Sequence, residues 1–153
     1  IISIIVYVSQ NRFNKDSVKP YCNLLFYAIK GEIYINVQNC GIGVMLVNEI
    51  IFSMNGVHYE TISEIIAGRE VRTCQELDIC GTGIAPSSEN TIFRVSFSKQ
   101  KHLLSTLNLL SDLSIIIHFE DVYERKYTQV LSLKNEYDTY MKALNGRKME
   151  IFN

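Results

Sequence analysis

The histidines, cysteines and arginines of this 153-residue chain are the side chains whose types and spacing could do chemistry. His58, His102 and His118 lie far apart, and none stands beside a Cys, Asp or Ser in a spacing that builds a nucleophile and its base. The chain therefore reads as a non-enzyme without catalytic residues. "HFED" offers His118, Glu120 and Asp121 to a metal. Strand alternation puts His118 and Glu120 on one exposed face, however, so a solvated face is the favoured reading and no metal is expected. Cys22, Cys40, Cys74 and Cys80 form no C-x-x-C pair and have no zinc-ligand spacing. Gly41-x-Gly43 and Gly81-x-Gly83 lack the third glycine, or the closing Lys-Ser/Thr, of phosphate-binding loops. No resident cofactor is implied.

Basic residues point further. "GREVRT" sets Arg69 and Arg72 close in sequence to the "GTG" loop that carries Thr82. The planar fork of arginine suits phosphate, and a neighbouring aromatic ring can stack on a base. Arg94, Lys99, Lys101, Arg125 and Lys126 fall near strand ends, with Tyr59, Tyr123 and Tyr127 available as rings. The ligand-binding candidates are Arg69, Arg72, Thr82, Arg94, Tyr123 and Arg125. The competing reading makes them ordinary surface charges and half-buried sandwich tyrosines.

These side chains need a scaffold, and the scaffold reads as β. A chain of this length forms one domain and buries roughly two-thirds of its unfolded surface. With 47% hydrophobic and 20% charged residues it is globular rather than disordered. A net charge of −1 argues against a general DNA or RNA binder, though a local basic pocket remains open to it. Period-two alternation dominates from Tyr21 onward. Ile33, Ile35 and Val37 share a face opposite Glu32, Tyr34, Asn36 and Gln38. Phe93, Val95 and Phe97 oppose Arg94, Ser96 and Ser98; Ile115, Ile117 and Phe119 oppose Ile116, His118 and Glu120. "KYTQVLSL" alternates likewise, and "YCNLLFYAI" and "GVMLVNEIIFSM" complete the candidates. About six or seven short strands predict an antiparallel immunoglobulin-like sandwich, or a partly open barrel, over residues 21–134.

Turn and helix signals fill in the rest. Gly31 in "IKGE" suits a hairpin, "NCGIG" a turn or bulge, "GTGIAPSSEN" a loop, and "EDVYERK" an exposed hairpin end. "ETISEIIAG" predicts a short helix capped by Thr61, with Glu64 as its capping-box partner and Gly68 as its stop. "KQKHLLSTLNLLSDL" spaces Leu103, Leu104, Leu107 and Leu110 for a helix, with Ser98 available as cap. Residues 135–153 form a C-terminal helix and tail ending its helical part at Gly146. Such helices would plug the ends of the β framework.

The chain opens on "IISIIVYVS", too short to cross a bilayer, which takes roughly 20 apolar residues. Opening on Ile rather than Met, it reads as a fragment, with residues 1–10 the end of a transmembrane helix and 11–20 a juxtamembrane linker. Arg12, Lys15 and Lys19 follow the run, opposed only by Asp16, which favours the cytoplasmic side. Unpaired thiols agree with that reducing side, although four cysteines could make two disulfides. The alternatives are that the run is the first strand of the sheet, or a cloning fragment.

Segments "NKDSVKPYCNLLF", "EIYINVQNCGIGVMLV", "GIAPSSENTIFRVSF" and "SIIIHFEDVYERKYTQVLSL" together resemble small bacterial proteins with N-terminal transmembrane helices and a C-terminal β-sandwich. The shared features are Ser-Val-x-Pro at Ser17 to Pro20, Asn-x-Gly-x-Gly at Asn39 to Gly43, and the Phe119 to Tyr123 turn, within residues 1–133. Some proteins of this shape are the two-transmembrane β-domain effectors found beside nucleotide cyclases or polymerases in bacterial phage defence, as in Panoptes-type systems. The resemblance implies a β-domain that senses a cyclic oligonucleotide and controls membrane disruption by its helices. In the Panoptes arrangement the ligand would hold the effector off until a phage sponge removes it. The implied partners are the bacterial inner membrane, a cyclic oligonucleotide and a second copy of the chain, with no DNA or RNA. The family pattern has Arg-Thr after the first glycine of the late loop and Pro-Gly further on. Here Gly81, Thr82, Gly83, Pro86 and Ser87 stand instead, so no ligand residue is carried over at that loop. The alternative function is a membrane-tethered protein-interaction module with no small-molecule ligand.

Overall fold

The computed structural model of the chain describes residues 17–146. Strands β1 (Cys22–Ile29) and β2 (Glu32–Asn39) form a hairpin whose turn residues, Lys30 and Gly31, have φ of 50° and 78°. Two left-handed residues in succession match the twist of the flanking strands, and glycine takes the second position at no steric cost. This is the hairpin expected at Gly31. Asn55 and Gly56, with φ of 52° and 79°, make a second turn of the same kind between β3 (Met45–Met54) and the short β4 (Val57–Tyr59). The strand expected from "GVMLVNEIIFSM" ends at Met54, and β4 lies beyond it.

Five more strands complete the two sheets. β5 (Thr73–Glu76) and β7 (Glu89–Ser96) extend the hairpin into an antiparallel sheet of order β1-β2-β7-β5. β8 (Leu113–Glu120) and β9 (Lys126–Ser132) pair beside β3 in the order β4-β3-β8-β9, and β6 (Gly83–Ile84) pairs with the start of β3. The fold is mainly β, with two antiparallel sheets that do not close into a barrel. The sandwich-like expectation holds and the barrel alternative does not. Part of the expected "GTGIAPSSEN" loop is strand β6, so the strand count exceeds the expected one.

At the apolar positions the alternation behaves as read, while Asn36 and Ser96, expected on the polar faces, are buried too, Asn36 at a register shift between β2 and β7. Ile33, Ile35, Val37, Phe93, Val95, Ile115 and Ile117 are fully buried between the sheets. Removal of such side chains from water contributes about 1.5–3 kcal/mol apiece. β9 also alternates, with Tyr127, Gln129 and Leu131 half-buried and Val130 exposed.

Helix α1 (Ile62–Ile65) starts at Thr61, whose hydroxyl accepts from Glu64 N–H at 3.3 Å, and the left-handed Gly68 follows it. Helix α2 (Gln100–Leu110) carries Leu103, Leu107 and Leu110 on its buried face with Thr106. Its cap position is Lys99, with no side-chain cap bond, so the expected Ser98 cap is corrected by one residue. Helix α3 (Leu133–Gly146) begins directly after β9, inside the stretch read as strand. It packs on β1, where Tyr140 lies edge-on to Phe26 and donates to the Ala28 carbonyl at 3.0 Å. The β1–β9 side of the sandwich is thus covered, while the β4 and β5 edges flank its other side.

Residues 18–21 lie against the turn at 40–43. Cys40 N–H donates to the Tyr21 carbonyl at 2.7 Å, and a Cβ at Gly43 would sit 1.7 Å from the Val18 carbonyl oxygen. Close approach of two backbones, not phosphate, is what this Gly-x-Gly serves. Asn39 completes the joint: its Nδ2 donates to the carbonyls of Gly43 and Ile84 at 2.7 and 2.9 Å. The expected transmembrane end and most of the linker lie outside the described residues. Among the described residues no helix is long and apolar enough to cross a membrane.

Candidate anion-binding site

Three strands build one polar surface. Pairing aligns Glu32 with Ser96 and Ser96 with Thr73, and aligns Tyr34 with Arg94 and Arg94 with Gln75, across β2, β7 and β5. Because Ile33 and Val95 point into the core, their neighbours in sequence point outward. Glu32, Thr73, Gln75, Arg94 and Ser96 line a cleft of about 410 Å³ together with Lys30, Gly31, Arg72 and Phe97, and Tyr34 lies beside it under Arg94. Three cations face one carboxylate there.

Arg94 anchors the surface. Its Nη2 lies 3.1 and 3.0 Å from the two carboxylate oxygens of Glu32, and its guanidinium sits 5.1 Å from the centre of the Tyr34 ring. Tyr34 donates its hydroxyl proton to the same carboxylate. That bond, together with the bond and charge of Arg94 and the charge of Arg72, holds the Glu32 carboxyl below its usual range. The bond to Glu32 also pushes the Tyr34 phenol up. Arg72 is placed by its backbone N–H, which donates to the Ser96 carbonyl at 2.8 Å. Thr73 and Ser96 hydroxyls share a 2.6 Å bond on the floor. The chemistry of this surface suits an anion with several acceptor oxygens, with a ring beside it.

The six candidates from sequence divide into four places. Arg72 and Arg94 come together in the cleft. Tyr123 and Arg125 come together in the β8–β9 turn, with the Arg125 guanidinium 5.8 Å from the Tyr123 ring centre. That turn is organised by Asp121, whose side chain is fully buried. Burial alone would push its carboxyl up. Hydrogen bonds from Arg125 N–H (3.0 Å) and Nε (2.6 Å), Tyr123 N–H (2.9 Å) and Tyr127 hydroxyl (3.1 Å) outweigh burial and hold it below its ordinary value. Arg69 reaches α2, donating to Ser105 Oγ at 2.9 Å. Thr82 turns its hydroxyl back to the Ile79 carbonyl at 2.5 Å and belongs to the loop that pairs with β3, in the sheet opposite Arg72.

Lys30, Glu32, Tyr34, Thr73, Gln75 and Ser96 were missed as site residues. The alternation of β2 and β7 already put Glu32, Tyr34, Arg94 and Ser96 on outer faces, but nothing local says that β2 pairs with β7.

Elsewhere, His118 Nδ1 bonds Thr128 Oγ1 at 2.8 Å, and its Nε2 lies 3.8 Å from Glu49, all on the outer face of the second sheet. His102 Nε2 is 3.1 Å from Glu70, within ion-pair reach but without hydrogen-bond geometry. No group of three His, Cys, Asp or Glu among the described residues could hold a metal. Cys22 is buried, which pushes its thiol up to about 12, while Cys40, Cys74 and Cys80 are exposed and unbridged. A second cavity of about 390 Å³ opens between the β4 and β5 edges, with Ile50, Phe52, Ile79 and Ile92 inside and Glu60, Glu76 and Asp78 at its rim.

Neither a protein-family model nor a curated protein matches the chain.

Proposed function

We propose that this chain is the sensing domain of a membrane-anchored effector of bacterial antiphage defence. In this reading an immunoglobulin-like sandwich on the cytoplasmic side of the inner membrane binds a cyclic oligonucleotide and controls membrane disruption by helices preceding it. The observation that carries the reading is the cleft on β2, β7 and β5, where Lys30, Arg72 and Arg94 gather beside Tyr34. Phosphodiester oxygens suit the guanidinium groups, and Tyr34, with Tyr27 opposite it on β1, offers rings to the bases. The cleft lies at the Glu32 end of β2 and the incoming segment at the Asn39 end, about 25 Å apart at strand rise. The effector and membrane parts rest on the resemblance in the leading segments. Isothermal titration with a panel of cyclic di- and trinucleotides tests the ligand. Binding that Arg72→Ala and Arg94→Ala each weaken supports it; silence from the whole panel at ~100 μM counts against it.

The second reading, a membrane-tethered protein-interaction module without a small-molecule ligand, draws on the β4 and β5 edges of the sandwich. There Val57 and Leu77, each 52% exposed, flank the free edges of β4 and β5. An extended segment of a partner can add to such an edge. Recovery of a stoichiometric protein partner by pull-down, with no nucleotide in the purified sample, selects this reading.

A further inference from the structure

We propose that Glu32 is an internal occupant of the cleft, a carboxylate that holds the Arg94 guanidinium until a phosphate group displaces it. The inference rests on the reading of the cleft as an anion site and concerns how that site is regulated. Arg94 Nη2 is shared between both Glu32 oxygens, at 3.1 and 3.0 Å, so the carboxylate occupies the position a phosphate would take. Tyr34 holds the same carboxylate through its hydroxyl while its ring lies under the guanidinium. Three side chains are therefore interlocked on one face of β2 and β7.

Displacement is physically accessible. The side chains of Arg94 and Glu32 are 45% and 27% exposed, and a solvent-exposed ion pair is weakly held. Lys30 and Arg72 line the same cleft and add positive charge that the single carboxylate does not balance. A monoanion gains little by replacing Glu32, because it exchanges one charge for another. A di- or polyphosphate brings more charge and more acceptor oxygens, so it competes where acetate or chloride does not. The occupant thereby sets a threshold on ligand charge. It also gives the empty and filled cleft two distinct positions for the Glu32 side chain.

The test uses inorganic pyrophosphate at constant ionic strength, up to about 20 mM, with chloride as the comparison anion. Amide signals of Gly31, Thr73 and Gln75 and the Arg94 Nε–H signal are followed by two-dimensional NMR. In the wild-type chain these signals move on addition of pyrophosphate. Glu32→Gln binds about fivefold more tightly, and Tyr34→Phe, which frees the carboxylate from one of its holders, about twofold. Glu64→Gln, an exposed carboxylate on α1, leaves the affinity unchanged. If the wild type binds at these signals and neither variant binds more tightly, the occupant role is wrong and the anion site survives. If neither wild type nor Glu32→Gln moves these signals, the anion site itself is wrong. If Glu64→Gln tightens binding as much as Glu32→Gln, the effect is net charge and the occupant role is overturned. Tyr34→Phe carries the test should Glu32→Gln fail to fold.

Discussion

Gln129 stands in for a strand partner of Cys22. Its Nε2 donates to the Cys22 carbonyl at 2.6 Å and its Oε1 accepts from Cys22 N–H at 3.2 Å, joining the edge of one sheet to the edge of the other. An amide side chain reproduces the donor and acceptor of a peptide group, which is why glutamine fits at this seam between the two sheet edges. Gln129→Ala is expected to cost about 1–2 kcal/mol and lower the melting temperature by about 3–6 °C. Gln129→Glu keeps the acceptor but turns an oxygen toward the Cys22 carbonyl, so it should do no better than alanine. Circular dichroism melts of the three proteins decide it, and a wild-type melting temperature for Gln129→Ala removes the bridge from the account.

Asp121 makes the fold sensitive to acid. Its folded carboxyl lies below its ordinary value in spite of burial, because four hydrogen bonds favour the charged form. A depressed folded pKa contributes stability above the unfolded carboxylate range and loses it as pH falls through the folded value. Stability should therefore drop as pH is taken below about 4, and Asp121→Asn should flatten that part of the profile. At neutral pH the variant is expected to lose about 2–3 kcal/mol, since the amide offers one acceptor oxygen where the carboxylate has two. Urea unfolding between pH 3 and 7 measures both effects. An unchanged acid limb in Asp121→Asn would transfer the sensitivity to another carboxylate.

Gly43 admits no side chain. A Cβ there would lie 1.7 Å from the Val18 carbonyl oxygen, and one at Gly41 2.4 Å from the Lys19 carbonyl oxygen. Gly43→Ala is expected either to push residues 18–21 off the turn or to cost more than about 2 kcal/mol. Chymotrypsin distinguishes the two, through new cleavage after Tyr21, whose carbonyl the turn holds through Cys40 N–H, in the folded variant or a lowered global melting temperature. A variant with neither change is the outcome that rejects the joint.

The four thiols should fall into two groups. Cys40, Cys74 and Cys80 are exposed, whereas Cys22 is buried and its thiol is pushed up to about 12, mainly by burial and then by the nearby Cys40. At pH 8 a maleimide should label the first three in the native protein, and Cys22 only on unfolding, because the thiolate is the reactive form. Mass spectrometry after brief labelling reads this directly; native labelling of Cys22 at the rate of the others contradicts its burial.

Much of the β framework was legible because burial follows local alternation. Ile33 and Ile35, Phe93 and Val95, and Ile115 and Ile117 were assigned to the right faces from period two alone. Thr61 and Gly68 marked α1 for the same reason, since caps act within a few residues. β4, β5 and β6 escaped because two to four residues carry no periodicity; their pairing with longer neighbours is what makes them strands. The cleft was half legible. Arg72 and Arg94 were named from their chemistry, yet Glu32 and Tyr34 enter only through the register of β2 against β7, more than fifty residues apart in sequence. Thr82 was named from a glycine-rich loop whose composition does not reveal that its hydroxyl is spent on Ile79.

At the notch made by Gly41 and Gly43 the backbone of Val18 to Tyr21 is wedged against the domain rather than hung from it. Lys19 adds a brace by lying 5.2 Å from the centre of the Tyr127 ring. A chain held in this way transmits torque. Any twist or tilt applied just ahead of Ser17 turns the whole sandwich with it, where a slack tether would absorb the motion and leave the domain's heading free.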